Sequence, residues 1–515
     1  MSVPHPAALV MPAKPLRHGS GIRVRGPLQH GSGIRVRGPL QRGVLALTTT
    51  FGVVATLLLA GCSGAVYPDG SRPEKAETWY RRAQREYKEA DFDEAHDSVA
   101  KALAMVPEDA EVRTLAGEIA LSSLDYAEVL RLLKGVPGTE AARLRGRALW
   151  YKGDLEGAAN ELEAMLNDPE VKDDWAKATS KLARRGEGRT PFELKGGMVG
   201  VVEMVVVTPV APFFVVPLEI DGEAALAMIA TGSGEVVVDS ATRPEPSWIS
   251  LRFDRLEVRD VPALPQDLSG ISKEIGAPIK AMLGVNLLRH LNATFDFTGH
   301  QFVARSFAPP PPPAATRLDL HYARGGGMVV HSTLGADKGV PAALMIDTSR
   351  PFALALDTEG WKKAGVDAAQ LRPVSSDPEQ KLREGAIPAM RLGAFDLRGV
   401  SGLSGVPLID MEKATGVDLD GIVGASLLYR YRCTFADGGR LLWIEDDSAF
   451  QSALAASGAA SPLSLPSRPG GPQATPGGRD DARPAGTLRP PTPSGPINER
   501  ETPPARNAPA PLLKP

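Results

Sequence analysis

The chain has 515 residues, 43% of them hydrophobic, and a formal net charge of -3. This length allows two or three packed domains, and the near-neutral charge gives no electrostatic reason to expect a nucleic-acid partner. The cysteines are Cys62 and Cys433, and the eight histidines are scattered along the chain. This pattern contains no metal-ligand spacing, so we expect neither a metal nor another cofactor.

An uncharged apolar segment runs from Val44 to Ala60, after a basic stretch, and ends in small residues. A basic region, a short apolar region and small residues at the cleavage point are the parts of a secretory signal. The sequence therefore predicts a signal peptide at residues 42–61.

The end of this segment, Leu59-Ala60-Gly61-Cys62, resembles the lipobox of bacterial lipoprotein precursors. The resemblance implies a lipidated Cys62 that anchors the mature chain to a lipid membrane of the bacterial cell envelope. Acyl chains contribute roughly 0.8 kcal/mol per buried CH₂, so a multiply acylated cysteine stays in the bilayer. Ser63, where some lipoproteins have aspartate, favours the outer membrane. The alternative is a plain hydrophobic anchor with a chance cysteine.

Both ends of the chain are expected to be disordered. Residues 1–41 contain a perfect tandem repeat, which indicates a recent duplication or a start codon placed too far upstream. Residues 449–515 are rich in Pro, Gly, Ser and Ala and bury too little apolar surface to offset the entropy of ordering. A short polar tether, residues 62–75, is expected to follow the signal peptide.

Residues 76–185 are rich in Ala, Leu, Glu, Arg and Lys with helical spacing. Helix starts recur after turns at Asp91, Asp125 and Asp154, and each following helix ends near a proline. The pattern resembles the tetratricopeptide repeat (TPR), with roughly three units. The resemblance implies stacked helix pairs, small residues where paired helices approach, and a concave surface that binds peptides or proteins. An unrelated helical bundle is the alternative.

From Thr190 onward the chain changes to short β-branched runs. The runs predict strands at residues 204–207, 213–220 and 224–229, with Asp221-Gly222 as a tight hairpin turn. This β-rich part continues to about residue 448 and contains a proline-rich linker at residues 308–316.

A weak internal duplication divides the β-rich part into residues 190–307 and residues 317–448. In each copy an apolar run leads into a short polar motif, and an apolar-apolar-Gly strand follows later in the same order. The motifs are Ala230-Thr231-Gly232 in the first copy and Asp347-Thr348-Ser349 in the second, and the later strands are residues 281–288 and 421–428.

This order of motifs resembles the retropepsin-like aspartic peptidases, in a form with two lobes on one chain. The resemblance implies that each lobe is a small closed β-barrel and that the two motif loops meet between the lobes. Thr231 and Thr348 would brace the loops through their hydroxyls, and Gly232 would let the backbone approach a shared water. In the family, two aspartates share one proton and divide the acid and base roles in peptide hydrolysis.

The chain departs from that pattern at two positions. Ala230 stands in the place of the first aspartate, and a methyl group can neither hold water nor exchange a proton. Asp347 is present in the second copy, but Ser349 replaces the glycine. We therefore expect that the intramolecular dyad is broken.

The expected fold class is multidomain: all-α TPR-like repeats followed by an all-β, bilobal domain of aspartic-peptidase-like barrels, with disordered terminal segments. The leading hypothesis is a membrane-anchored envelope lipoprotein that acts as a non-catalytic adaptor for a peptide or protein ligand. The runner-up is an active aspartic endopeptidase that uses Asp347 in a dimer. A third alternative is a purely structural β domain that holds the repeats off the membrane. The ligand and the oligomeric state stay open.

Overall fold

The computed structural model describes residues 72–207, 212–296, 298–313, 315–324, 326–336, 339–377, 379 and 381–446. The predicted signal peptide, Cys62, the duplicated N-terminal segment and the C-terminal tail lie outside these described residues. Within them, a helical region precedes a β-rich region with two lobes. Of the helices in the described ranges, none has the length and apolarity to cross a membrane.

The helical region contains three consecutive helix pairs and a further single helix. The first helices of the pairs are α1, Glu74–Lys88, α3, Ala110–Ser122, and α5, Thr139–Lys152. The second helices are α2, Phe92–Met105, α4, Tyr126–Leu132, and α6, Leu155–Leu166; the single helix is α7, Asp174–Arg184. The three predicted helix starts are confirmed.

Local sequence explains where these helices begin and how closely they pack. The carboxylate of Asp154 accepts a hydrogen bond from the backbone in the first turn of α6, as N-cap residues do. Gly117 of α3 faces Leu133, and a Cβ at Gly117 would lie 3.0 Å from that side chain. A Cβ at Gly146 of α5 would lie 2.7 Å from Leu162. Small residues therefore permit the close approach of paired helices.

The helical region begins at Glu74, earlier than predicted and within the expected tether of residues 62–75. Arg72 is buried, and its guanidinium donates to the carboxylates of Asp109, Glu77 and Glu111. These hydrogen bonds hold the chain against α1 and α3 before the first helical turn. The buried anchor is the physical reason why the end of the predicted tether is ordered.

The first β lobe, lobe 1, follows the helical region in the chain. Its strands are β1, Glu193–Gly196, β2, Val199–Glu203, β3, Val215–Ile220, β4, Glu223–Ile229, β5, Val236–Asp239, β6, Ser247–Phe253, β7, Leu256–Gln266, β8, Ile279–Leu283, β9, Thr294–Asp296, and β10, Gln301–Arg305. Its helices are α8, Ser269–Ile275, and α9, Val285–His290.

The second β lobe, lobe 2, repeats this plan. Its strands are β11, Thr316–Asp319, β12, His321–Tyr322, β13, Met328–Leu334, β14, Val340–Asp347, β15, Leu354–Leu356, β16, Arg372–Pro373, β17, Arg383–Leu392, β18, Phe395–Ser404, β19, Gly421–Gly424, β20, Tyr431–Ala436, and β21, Leu441–Asp446. Its helices are α10, Thr358–Lys363, α11, Leu408–Thr415, and α12, Ala425–Leu428, with short 3-10 turns at Ala368–Gln370 and Asp437–Gly439.

The strand order is the same in both lobes. In lobe 1 the ring is β3-β4-β8-β5-β7-β6, closed by pairing of β6 with β3. In lobe 2 the ring is β13-β14-β19-β15-β18-β17, closed by pairing of β17 with β13. Parallel and antiparallel pairs also correspond, since β4–β8 and β14–β19 are both parallel. Two six-stranded barrels of this kind fit a bilobal peptidase-like fold.

A third sheet joins the lobes. Its order is β11-β21-β20-β9-β10-β2, so three strands come from each lobe. The junction is the antiparallel pair β9–β20, where Phe295 of lobe 1 lies opposite Cys433 of lobe 2. Both residues are fully buried, and burial raises the pKa of the Cys433 thiol. The lobes therefore share hydrogen bonds and core packing within one chain.

Two of the expected β runs are confirmed and one is wrong. Strands β3 and β4 flank the Asp221-Gly222 turn, as predicted. Residues 204–207 do not form the predicted strand: β2 ends at Glu203, and only an isolated bridge joins Val205 to Val215. The reason is the lack of a continuing partner, because the pairing of β2 with β10 ends where Gln301 lies opposite Glu203.

Candidate functional site

The two predicted motif loops lie at equivalent places in the lobes. Ala230 directly follows β4, and Asp347 is the last residue of β14. Beside each loop runs a strand that ends near a glycine, Gly284 after β8 and Gly424 at the end of β19. A Cβ on either glycine would collide with backbone atoms of the segment after the loop. Glycine is therefore required where the apolar-apolar-Gly strand passes each loop.

Reciprocal hydrogen bonds join the two loops through their threonines. The Thr231 hydroxyl donates to the carbonyl oxygen of Ile346, 2.9 Å away, and the Thr348 hydroxyl donates to that of Ile229, 2.8 Å away. Each hydroxyl also accepts from the other threonine's backbone N–H, at 3.2 and 3.0 Å. Both threonines are 0% exposed. The structure thus brings Thr231 and Thr348 together in the bracing arrangement that the resemblance implied.

The carboxyl group of Asp347 lies over the other loop. A Cβ built on Gly232 would be 2.5 Å from Asp347 Cγ, so the carboxyl occupies space that only a glycine leaves open. Asp347 Oδ1 accepts from the backbone N–H of Ser349 at 3.0 Å and from its hydroxyl at 2.6 Å. Asp347 Oδ2 accepts from Arg350 Nε at 3.1 Å. Both carboxylate oxygens are therefore held by neighbours in the same loop.

Ala230 is 1% exposed and lies in an apolar environment. It belongs to a buried cluster that includes Phe213, Met228, Val237 and Met282. Such surroundings stabilise a methyl group and disfavour a carboxylate. The position that would hold the first aspartate is therefore part of the core of lobe 1.

Sequence reasoning missed Arg350 and helix α8 as neighbours of the site. Arg350 forms an ion pair with Asp347, and its side chain is 44% exposed. Glu274 of α8 is near enough for its charge to interact with Arg350: burial raises the pKa of Glu274, and the positive charge of Arg350 opposes that rise. The spacing Asp-x-x-Arg was visible in the sequence, but the approach of α8 from lobe 1 depends on the fold.

The helical region packs against the β lobes through several of its helices, among them α3, α5 and α7. Glu118 of α3 accepts from Arg324 of lobe 2 at 2.6 Å. Glu235 of lobe 1, just after the first motif loop, accepts from the Tyr151 hydroxyl at 3.1 Å and from Trp175 Nε1 at 3.2 Å. The helical region therefore contacts both of the chain's own β lobes.

Among the residues that the structure describes, no group of three or more His, Cys, Asp or Glu side chains is arranged to hold a metal ion. The groups available at the loops are the Asp347 carboxyl, the Ser349 hydroxyl, the Arg350 guanidinium and the backbone of the two loops. This set can donate and accept hydrogen bonds to an extended backbone, because Gly232 and Ser349 are partly exposed.

No family model and no curated protein sequence matches this chain. Solved structures similar to parts of it include a retropepsin-like aspartic protease from Rickettsia conorii: 19% identity, 25% of this chain and 90% of that one covered, TM-score 0.19. The TPR domain of Arabidopsis OM64 has 17% identity, covers 22% of this chain and 96% of its own, and has a TM-score of 0.21. A structure titled edgp is 9% identical to this chain, with 48% of this chain and 95% of that chain covered and a TM-score of 0.34. The structural neighbours thus include a retropepsin-like protease and a TPR domain.

Proposed function

We propose that this protein binds peptides or extended protein segments between its two β lobes without cleaving them. The observation that carries the proposal is the joined pair of loops, which combines the reciprocal threonine bonds with only one carboxyl group. Thr231 and Thr348 keep the loops in register, whereas Ala230 is packed into the core of lobe 1. The architecture for holding a backbone is thereby retained without the second acid.

Hydrolysis by an aspartic pair needs two carboxyl groups that divide the base and acid roles around one water. Here Asp347 is held instead by the Ser349 hydroxyl and the Arg350 guanidinium. An arginine stays protonated throughout the accessible pH range and therefore cannot replace a proton-transferring carboxyl. These contacts support a binding role over a catalytic one.

A dimer that brings two Asp347 loops together is the alternative. It would require each lobe 2 to leave its own lobe 1, which means breaking the reciprocal threonine bonds and the β9–β20 pairing. Exchange of whole lobes between chains would restore the same pair of Ala230 and Asp347. The extent of the interface within one chain therefore favours the non-catalytic proposal.

Binding can be tested with a defined library of synthetic peptides on immobilised full-length protein. We expect a subset of peptides to be retained and recovered at their intact mass. Ser349→Tyr, which places a ring over the partly exposed loop, should reduce retention, while Thr298→Tyr at an exposed position outside the loops should not. Equal retention by the wild type and Ser349→Tyr would contradict binding at this site.

We also propose that the mature chain is a lipoprotein anchored through Cys62 in the bacterial cell envelope. The support is the sequence Leu59-Ala60-Gly61-Cys62 after the apolar segment. Mass analysis of the mature protein should find an acylated N-terminal cysteine, and Cys62→Ser should abolish that modification. An unmodified terminus at another position would overturn the assignment.

A further inference from the structure

A cavity of about 40 Å³ lies where the helical region meets both β lobes. Its walls come from helices α3 and α5, from Asn286 of α9 in lobe 1, and from Tyr322, Ala323, Arg324 and Gly326 in lobe 2. A water molecule needs at least about 10–15 Å³ measured in this way, so the cavity can hold a few waters or one small ion.

Three polar groups that line this cavity are buried and have no hydrogen-bond partner within the described part of the chain. They are Nε of Arg143, Nε of Arg147 and the hydroxyl of Tyr126. Arg147 is only 7% exposed. Buried polar groups in folded proteins are nearly always hydrogen-bonded, so three unsatisfied groups around one cavity indicate a missing acceptor.

The charges around the cavity favour an anion as that acceptor. Glu118 already accepts from Arg324, and Glu140 pairs with Arg143. Asp173 Oδ2 lies 3.7 Å from Arg143 Nε, which is an ion pair beyond hydrogen-bond distance. Arg147 stacks on the Trp175 ring, with its guanidinium carbon 4.0 Å from the ring centroid. Its positive charge therefore has an aromatic neighbour but still lacks the planar, negatively charged partner that guanidinium groups bind best.

One carboxylate whose charge interacts with that of Arg147 is Glu235. Glu235 accepts from Tyr151 and Trp175, two neutral donors. Burial raises the pKa of Glu235, although the positive charges of Arg147 and Arg289 oppose the rise. Glu235 thus compensates two arginines only in part, and room for a second negative charge is left beside Arg147.

We propose that this cavity binds a carboxylate group, which would accept from Arg143, Arg147 and Tyr126. The carboxylate can come from a free small acid or from the carboxyl terminus of a peptide. The proposal does not rest on peptide binding between the lobes, because these three residues belong to the helical region.

The position of the cavity implies that ligand binding affects the stability of the folded chain. Asn286 and Gly326, which line it, both touch Gly234 just beyond the first motif loop: Asn286 N donates to the Gly234 carbonyl oxygen at 3.0 Å, and Gly326 packs on its Cα. A carboxylate held by the helical region would therefore lie beside lining residues of both lobes, and its binding to the folded chain should stabilise that chain against unfolding.

The test measures thermal unfolding of the full-length protein in sodium acetate against sodium chloride at equal ionic strength, with calorimetric titration of acetate. We expect a saturable rise in Tm that is specific to acetate. Arg147→Gln should weaken acetate binding by at least about tenfold, as expected for the loss of a charge-assisted hydrogen bond. Lys152→Gln is the matched control, because Lys152 is an exposed cation on the same helix that does not line the cavity.

If Arg147→Gln does not fold, Tyr126→Phe tests the proposal instead, because this substitution removes only a hydroxyl. Its Kd for acetate should rise by about three- to tenfold. The proposal is overturned if acetate and chloride act alike, if Arg147→Gln and Lys152→Gln respond equally, or if Tyr126→Phe leaves the Kd unchanged.

A second pair of ligands identifies the source of the carboxylate. A tripeptide with a free carboxyl terminus and its amidated form are compared with acetate in the same assay. Stabilisation by the free tripeptide that exceeds that by acetate, with none by the amidated form, supports recognition of a chain terminus. A response to acetate with none to either tripeptide supports a free small acid.

Discussion

Lobe 1 and lobe 2 have the same strand order, the same parallel pairs and the same threonine contacts, yet their loops differ in chemistry. In lobe 1 the loop begins with Ala230, directly after β4, and Ala230 is packed among apolar side chains. The loop of lobe 2 carries Asp347, which Ser349 and Arg350 hold through hydrogen bonds. The threonine contacts that join the lobes are therefore common to both loops, whereas a carboxyl group at the position before the threonine is present in lobe 2 alone.

The largest effect is expected from removing the shared bracing contacts. Thr231→Val loses a buried donor and an acceptor, which leaves the Ile346 carbonyl and the Thr348 N–H unsatisfied. We expect a loss of about 2–4 kcal/mol of unfolding free energy. Denaturant unfolding of Thr231→Val, Thr348→Val and the double variant should show that the two losses are not additive.

Thr298→Val makes the same chemical change at an exposed hydroxyl and should alter the stability by less than about 0.5 kcal/mol. If Thr231→Val and Thr298→Val cost the same, the two loops do not depend on these hydrogen bonds, and the comparison between the lobes loses its basis.

Acid should distinguish the two lobes. His290, at the end of α9 in lobe 1, stacks on Phe192 with ring centroids 4.4 Å apart, and burial lowers its pKa to about 4. In lobe 2, Tyr429 follows α12 and is 39% exposed. Lobe 1 therefore carries a buried titratable group at this end, whereas the corresponding end of lobe 2 is open to solvent.

The sign of the effect follows from the lowered pKa. The unfolded chain binds a proton at His290 near pH 6.5, before the folded chain does, so stability is complete above pH 6.5 and falls between pH 6.5 and 4. The loss reaches at most about 3 kcal/mol, at about 1.4 kcal/mol for each pKa unit. His290→Gln should flatten this part of the pH profile. As the pH falls, amide hydrogen exchange should lose protection in α9 at a higher pH than in α12. Loss of protection at the same pH in both helices would refute the difference between the lobes.

A smaller effect should come from the glycine that lobe 2 lacks. Gly232→Ala places a Cβ 2.5 Å from Asp347 Cγ, whereas lobe 2 has Ser349 at the equivalent position. We expect a loss of about 1–3 kcal/mol from this overpacking. The same substitution in an Asp347→Ala background should cost much less, because the obstructing carboxyl is gone. If Gly232→Ala lowered the unfolding free energy equally in the wild type and in Asp347→Ala, the added Cβ would not be colliding with the Asp347 carboxyl.

Local patterns predicted the parts of this structure that depend on neighbours in the chain. The helix starts at Asp125 and Asp154 were visible because an N-cap acts within one turn. The threonines and the glycine strands were found because the motif occurs twice in the same order. The run at residues 204–207 failed because strand formation depends on a partner, and the antiparallel partner strand β10 begins only at Gln301, opposite Glu203.

The remaining features depend on contacts between distant parts of the chain. Arg324 and Glu118 are 206 positions apart, and Glu235 and Tyr151 are 84 apart. No periodicity connects such pairs, so the packing of the helical region on the β lobes could not be predicted from sequence patterns. Ala230 and Asp347 were identified from the sequence, but the role of Arg350 became apparent only from its orientation.

The central proposal is that the two β lobes hold peptides between their joined loops without cleaving them. The most direct test is to incubate the full-length wild type and Asp347→Ala with a diverse peptide library from pH 3 to 8. The products are then identified by mass spectrometry. We predict no cleavage by either protein. Cleavage by the wild type that is lost in Asp347→Ala, and that is blocked by a transition-state mimic of aspartic peptidases, would contradict the claim and establish an active enzyme.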